Sequence, residues 1–268
     1  MSARIGALAV SLAVLAGLGT WAGLSGDREY EIGCYATGLR GRTPSQVYNL
    51  TLALRRIDGT VLQPGQTLSF VKSVGPWTAD MGYTKAPVSY DGELIRSWGG
   101  GVCQTSTTLY NAALLAGLDI VERHRHHWPP RYAPLGRDAA VAYSDIDLKI
   151  RNSLPAPVRI VGEVKGDRVS FRLLSTCRPQ YSVVMESQTR SITRPGEIIL
   201  PHNAQAAAPG RQVVNRGHPG FHVVTYRRYV RGTAVRREMI SQDDYPVMNR
   251  IVRVTSSLLR QNPSPERL

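Results

Sequence analysis

The residues best suited to chemistry fall in one short run, Gly99-Gly100-Gly101-Val102-Cys103-Gln104-Thr105-Ser106. Three successive glycines open backbone conformations closed to other residues and let a substrate approach the chain closely. A helix predicted from about Gln104 puts Cys103 at its N-terminus, where unpaired N–H groups and the positive end of the dipole favour an anion. A Cys nucleophile reacts as the thiolate, and this setting lowers its pKa. The same N–H groups would stabilise the oxyanion of a tetrahedral acyl intermediate.

A base should accompany such a thiol. The segment Arg123-His124-Arg125-His126-His127-Trp128-Pro129-Pro130 carries three of the six histidines. A helix followed by a returning strand would bring it back near the helix start. Asp138 would orient one imidazole and complete a Cys–His–Asp arrangement. Arg137 suits a substrate carboxylate, because its planar fork binds two oxygens. Other readings compete. Cys103 could be a small core residue. The histidines could hold a metal, but His124 and His126 are two apart with Pro following, so they are not i, i+4 partners on a helix. A Gly-rich turn before a helix can bind phosphate, yet neither Gly-Lys-Ser/Thr nor Gly-x-Gly-x-x-Gly is present. No metal or cofactor is expected.

The elements that must position these groups follow from the patterning. Residues 43–58 read as a helix, with Thr43 as N-cap, Pro44 at N1, an apolar series Val47, Leu50, Leu54, Ile57, and Gly59 at the end. Short strands follow at Thr60–Leu62 and Thr67–Val71, and 75–98 reads as loop. Residues 104–117 form the strongest helix, with Leu109, Ala112, Ala113, Leu115 and Ala116 on one face. Asp119–Glu122 reads as a strand and 123–138 as irregular. Alternation at Ile146, Leu148 and Ile150, then Val158–Val164 and Arg168–Leu174 around Lys165-Gly166-Asp167, predicts strands and a hairpin. From about 180 the helical period vanishes, and β-like runs continue at Tyr181–Met185, Ile198–Leu200, Phe221–Val230 and Ile251–Val254. The expected fold class is therefore α+β: a small mixed domain whose long helix follows the Gly-rich Cys loop, plus an elongated all-β C-terminal module.

The 268 residues are 42% hydrophobic and 20% charged, with net charge +13. That composition excludes a disulfide-dense mini-protein, a polytopic membrane protein and an acidic solvating chain. Apart from Lys72, Lys85, Lys149 and Lys165, all 33 cations are Arg. They are scattered without a basic repeat, so nucleic-acid binding is not expected. Attraction to anionic polymers or membrane is, and Arg227, Arg228, Arg231, Arg236 and Arg237 concentrate it in the second unit. Arg4 followed by an uncharged run from Ile5 to Leu24 reads as an N-terminal anchor or signal peptide over 1–26. Either places the rest outside the cytoplasm, where disulfides persist. Of the three cysteines, Cys34 and Cys177 both look like boundary positions, and the working pairing joins them and leaves Cys103 free.

Several ordered motifs resemble the VanW family: Pro64-Gly65-Gln66-Thr67-Leu68-Ser69-Phe70, Gly82-Tyr83-Thr84-Lys85-Ala86, Gly99-Gly100-Gly101-Val102-Cys103-Gln104, Leu109-Tyr110-Asn111-Ala112-Ala113 and Tyr132-Ala133-Pro134-Leu135-Gly136-Arg137-Asp138-Ala139. The resemblance spans about 40–175. It implies an extracytoplasmic bacterial cell-wall protein, secreted or membrane-anchored, with L,D-transpeptidase activity on peptidoglycan stem peptides and Cys103 as nucleophile. The family histidine falls at His126, with His127 and Pro130 departing from the usual Ser and Val, and Gln66 and Leu68 from the usual Glu and Phe. The expected catalytic set is Cys103, His126 and Asp138. The expected substrate contacts are Gly100, Gly101, Gln104, Tyr110 and Arg137. An L,D-carboxypeptidase side reaction would follow if water replaced the acceptor amine. A non-catalytic wall-binding or glycopeptide-resistance accessory role is the alternative.

The second unit is similar to five-glycine surface domains, through Pro195-Gly196, Gly210, Val213-Val214-Asn215-Arg216-Gly217-His218-Pro219-Gly220, Val223-Val224-Thr225-Tyr226-Arg227 and Ile251-Val252-Arg253-Val254. That resemblance implies binding to wall glycan strands through sugars such as N-acetylglucosamine. The expected organisation is 1–26 anchor or signal, 27–178 VanW-like domain, 179–255 β domain and 256–268 tail.

Overall fold

A computed structural model describes residues 28–90, 93–143, 145–202 and 210–255. The N-terminal segment expected over 1–26 and the tail expected over 256–268 lie outside the described residues. Among those described, no helix is long and apolar enough to cross a membrane.

The architecture is mixed, mostly strands with few helices. A four-stranded antiparallel sheet is ordered β1 (Tyr30–Gly38), β9 (Arg168–Ser175), β8 (Val158–Lys165), β2 (Val61–Leu62). On it pack α1 (Pro44–Arg55) and the central helix α3 (Val102–Leu115). A small sheet of β3 (Thr67–Ser69), β7 (Lys149–Arg151) and β6 (Asp119–Glu122) and a hairpin of β4 (Lys85–Tyr90) and β5 (Glu93–Trp98) complete this part. Leu50, Leu109, Leu114, Ile160, Phe171 and Leu173 are fully buried between helices and sheet, and this burial is the main source of stability.

Helix α1 begins as its sequence dictates. Thr43 Oγ1 accepts from Gln46 N, and Gln46 Oε1 accepts from Thr43 N at 3.0 Å, a reciprocal capping box. Helix α3 starts two residues before Gln104, with Gly101 as N-cap at φ 108°. Its buried face is not only apolar, because Thr105, Ser106, Thr107 and Thr108 are all fully buried too. Each hydroxyl has a partner, as a buried polar group requires. Thr105 donates to Leu50 O at 3.1 Å, Ser106 to Ala139 O at 2.7 Å, Thr107 accepts from Ala139 N at 3.0 Å, and Thr108 donates to Gln104 O at 2.7 Å.

Several expectations change. Phe70 and Val71, expected to end a strand, instead begin the short helix α2 (Phe70–Val74), because Ser69 Oγ caps Lys72 N at 3.2 Å and Asp147 accepts from Val71 N at 2.9 Å. The stretch 75–98, expected as loop, contains the β4–β5 hairpin. Strand β1 has no counterpart in the sequence reading, and Cys34 lies within it rather than before a helix. The expected Cys34–Cys177 bridge does not form, and all three cysteines are free. Cys34 sits opposite Arg172, and the strand runs about 10 Å farther to its end at Ser175 before the chain reaches Cys177. A disulfide tolerates a Cα separation of only about 7 Å.

Beyond residue 180 the chain is all strand. A long antiparallel sheet is ordered β10 (Ser182–Thr193), β13 (Gly220–Arg231), β14 (Ala234–Tyr245), and a second is ordered β11 (Glu197–His202), β15 (Arg250–Thr255), β12 (Arg211–Asn215). Strand β14 carries Arg236, Arg237, Glu238, Gln242, Asp243 and Asp244, so it shows little hydrophobic alternation. The long sheet lies directly against the first part of the molecule. Arg227 Nη1 donates to Leu118 O at 2.7 Å, and Thr225 Oγ1 donates to Gly136 O at 3.3 Å. Arg227 was expected to serve a surface charge patch. It is 4% exposed and paired with Glu238 at 2.6 Å, so it belongs to this junction.

Candidate functional site

The turn before α3 is held from two sides. Buried Asn49 of α1 donates to Gly100 O at 3.0 Å and to Thr84 O at 2.9 Å, and accepts from Thr84 N at 2.9 Å. A Cβ on Gly101 would lie 2.3 Å from Gln46 O, and one on Gly100 would lie 2.6 Å from Pro87 O. The glycines are therefore required where the loop wedges between α1 and the β4–β5 hairpin, a correction to their expected role of admitting substrate. Gly100 is itself buried. The turn delivers half-buried Cys103 into the first turn of α3. The amides of Val102 and Gln104 bond back to Gly99 O and Gly101 O, each at 3.0 Å, and the Cys103 amide has no such partner among the described residues.

Asp138 is placed by α3 itself. Ser106 and Thr107 hold Ala139, while Asn111 Nδ2 holds Arg137 O at 2.7 Å. The carboxylate between them is wholly buried. Its Oδ2 accepts from His126 N at 2.7 Å and meets His126 Nδ1 at 2.6 Å, and its Oδ1 accepts from Tyr245 at 2.5 Å and Arg123 at 3.3 Å. With Nδ1 so engaged, the other ring nitrogen remains for Cys103, and the two groups shift each other's charge equilibria. The Cys103 thiol also faces Val141 O at 3.4 Å. Cys103, His126 and Asp138 are thus brought together. His124 and His127 are not: the first is exposed and bonds Glu122 at 3.1 Å, and the second packs on Trp128.

The electrostatics follow from this placement. Burial alone would raise the Cys103 thiol, but the hydrogen bond and charge of His126 outweigh it and the pKa is lowered. Burial opposes the imidazolium as well, yet Asp138 and Cys103 together push His126 up to about 9. Burial also works against the Asp138 carboxylate, and His126 and Arg123 overcome it, holding Asp138 at about 2. The three shifts are mutually consistent with a thiolate–imidazolium pair on an ionised aspartate. Such a constellation can deliver a nucleophile and return a proton.

The remaining expected contacts stand differently. Gln104 is 1% exposed and spends its amide on Thr37 at 3.0 Å and Gly38 O at 2.8 Å. Tyr110 is fully buried, with the Arg123 guanidinium 5.5 Å above its ring. Both are out of a substrate's reach. Arg137 is committed too: its Nε donates to Asn111 Oδ1 at 2.7 Å, and its guanidinium stacks 5.1 Å from the Tyr35 ring centroid. Among the described residues, no three His, Cys, Asp or Glu side chains converge as metal ligands.

Sequence reasoning missed the groups behind Asp138. Arg123 bridges Asp138 and Asp243, its Nε donates to Asp138 O at 2.6 Å, and Tyr245 accepts from Gly136 N at 3.0 Å while donating to Asp138. One signal was available: four successive Ser and Thr on a strong helix imply buried hydroxyls that need specific partners. Tyr245 and Asp243 carried none, because β14 reaches Asp138 only through tertiary packing.

Known proteins resemble this part of the chain in sequence. Residues 45–174, which include Cys103, His126 and Asp138, match the family model described as VanW like protein. YoaR of Bacillus subtilis (strain 168), described as uncharacterized, is 36% identical over 176 residues, 65% of this chain and 56% of that protein. The vancomycin B-type resistance protein VanW of Enterococcus faecalis (strain ATCC 700802 / V583) is 30% identical over 141 residues, 51% of each. The chain spans about half the length of the curated relatives it matches. Among solved structures, HP0197-G5 aligns at 16% identity and TM-score 0.17, covering 28% of this chain and 99% of that one. The G5 domain of IgA1 protease aligns at 20% identity and TM-score 0.20, covering 29% and 94%. Neither score supports an argument from shared fold. Residues 45–174 are similar to VanW-like proteins.

Proposed function

We propose that this VanW-like domain is a cysteine acyl transferase of the L,D-transpeptidase type, acting on peptidoglycan stem peptides in the bacterial cell envelope. The observation that carries the reading is the His126 ring, which bonds buried Asp138 through Nδ1 at 2.6 Å and acts electrostatically on the Cys103 thiol. In this mechanism the Cys103 thiolate attacks an amide carbonyl, and the helix-start amide beside it faces the oxyanion. The C–N bond breaks, the leaving amine takes the His126 proton, and a thioester remains on Cys103. An amine on a neighbouring stem then attacks the thioester, His126 takes its proton, and the thiolate departs. Water in place of the amine gives L,D-carboxypeptidase activity.

The strands beyond residue 180 are read as a five-glycine-type module that holds the protein on wall glycan. Exposed Arg231, Arg236 and Arg237 favour anionic wall polymers, and the N-terminal segment is read as the secretion or anchoring signal. Incubation with defined muropeptides, followed by mass spectrometry, should show an acyl adduct on Cys103 and cross-linked products. Both should vanish in Cys103→Ser. Undiminished cross-linking by a folded Cys103→Ser protein would sink the enzymatic reading and leave a wall-binding accessory role.

A further inference from the structure

Besides Arg137, held by Asn111 and Tyr35, a second cation stands near the His126 imidazole across one aromatic ring. Arg42 sits just before the N-cap of α1, in a turn fixed by its amide bonding to Leu39 O at 2.9 Å. Its guanidinium lies 4.7 Å from the centroid of the Tyr132 ring. The same ring meets His126 edge-on at 6.4 Å. Arg42 therefore stands one aromatic ring from the imidazole.

The surroundings of Arg42 are unusual for a cation. It is half-buried, and no carboxylate lies within ion-pairing distance of it among the described residues. Burial works against its charge and lowers its pKa. Buried cations are ordinarily paired. The other partly or wholly buried arginines of this region have polar partners, Arg123 two aspartates and Arg137 the Asn111 amide. Stacking on an aromatic face leaves the edge donors of a guanidinium free, and their fork matches a carboxylate.

We propose that Arg42, backed by Tyr132, is the subsite that holds a free carboxylate of the acyl-donor peptide beside Cys103. The assignment rests on the acyl-transfer reading of Cys103, and it narrows the donor to peptides with a carboxylate close to the scissile amide. It also explains why the cation is left unpaired: binding of the anionic substrate completes the pair and repays the cost of burial.

The test compares two alkylating reagents of similar reactivity and size, anionic iodoacetate and neutral iodoacetamide, in a Cys34→Ser/Cys177→Ser background where Cys103 is the sole thiol. The ratio of the two rates reads the carboxylate subsite, because changes in thiol pKa cancel in it. The absolute iodoacetamide rate reads the nucleophile. The ratio should fall about tenfold in Arg42→Gln, the scale of one charge-assisted contact, and by less in Arg42→Lys, with circular dichroism checking the fold. An unchanged ratio in folded Arg42→Gln overturns the subsite whatever the absolute rates. A wild-type iodoacetamide rate no faster than that of free cysteine instead overturns the acyl-transfer reading, and the ratio still reports on Arg42.

Discussion

Tyr245, at the end of β14, donates a 2.5 Å hydrogen bond to Asp138, 107 residues earlier in the chain. Its oxygen also accepts from Gly136 N at 3.0 Å, and both Asp138 and Tyr245 are buried. The C-terminal sheet thus finishes the wall behind His126. A spacer module would not need such a contact.

Tyr245→Phe keeps the ring and removes both bonds, leaving a buried carboxylate one donor short. The expected cost is about 1–3 kcal/mol in urea unfolding, together with slower acyl transfer. Stability equal to wild type would mean that the hydroxyl is dispensable to Asp138.

The charge state of Cys103 should depend on His126. With His126 raised to about 9, the imidazolium is present at neutral pH and favours the thiolate. His126→Gln leaves burial as the main influence, which raises the thiol. Iodoacetamide modification at pH 7 should then slow by about tenfold or more, and the rate should climb more steeply between pH 6.5 and 9 than in wild type. His124→Gln and His127→Gln, by contrast, should leave the profile in place. A profile unaltered by His126→Gln would remove it as the partner of the thiol.

Acid should find Asp138 last. Its carboxyl ionises at about 2 in the fold against 3.8 for the ordinary group. A lowered folded pKa contributes stability that is complete above the unfolded value and is lost as pH falls through the folded one. Wild-type protein should therefore lose this contribution between about pH 4 and pH 2. The thermal midpoint of Asp138→Asn, followed over the same range, should decline less steeply. Equal slopes would show that Asp138 does not titrate with unfolding.

Much of the site was legible from residue types alone. Gly99-Gly100-Gly101 ahead of a strong helical period places Cys103 at a helix start by local geometry, and Thr43-Pro44 with Gln46 writes the start of α1 into four residues. These are short-range facts, so sequence carries them. The identity of the base is not of that kind. His124, His126 and His127 are chemically alike and adjacent, and only the path of 123–138 across α3 turns one of them toward Cys103. Arg137 and Arg42 show the same limit. Both are isolated arginines in sequence, but packing spends the first on Asn111 and Tyr35 and leaves the second without an anion. Strand β14 was invisible because its charges obscure the alternation that marks a strand, and with it went Tyr245 and Asp243. Spacing within a turn or two already sets Cys103 at a helix start and marks the helices that frame it. Which side chains share a buried charge, and which arginine is left without an anion, was decided by contacts between distant parts of the chain, such as Asp138 with Tyr245 and Arg42 with Tyr132, which only the tertiary structure could select.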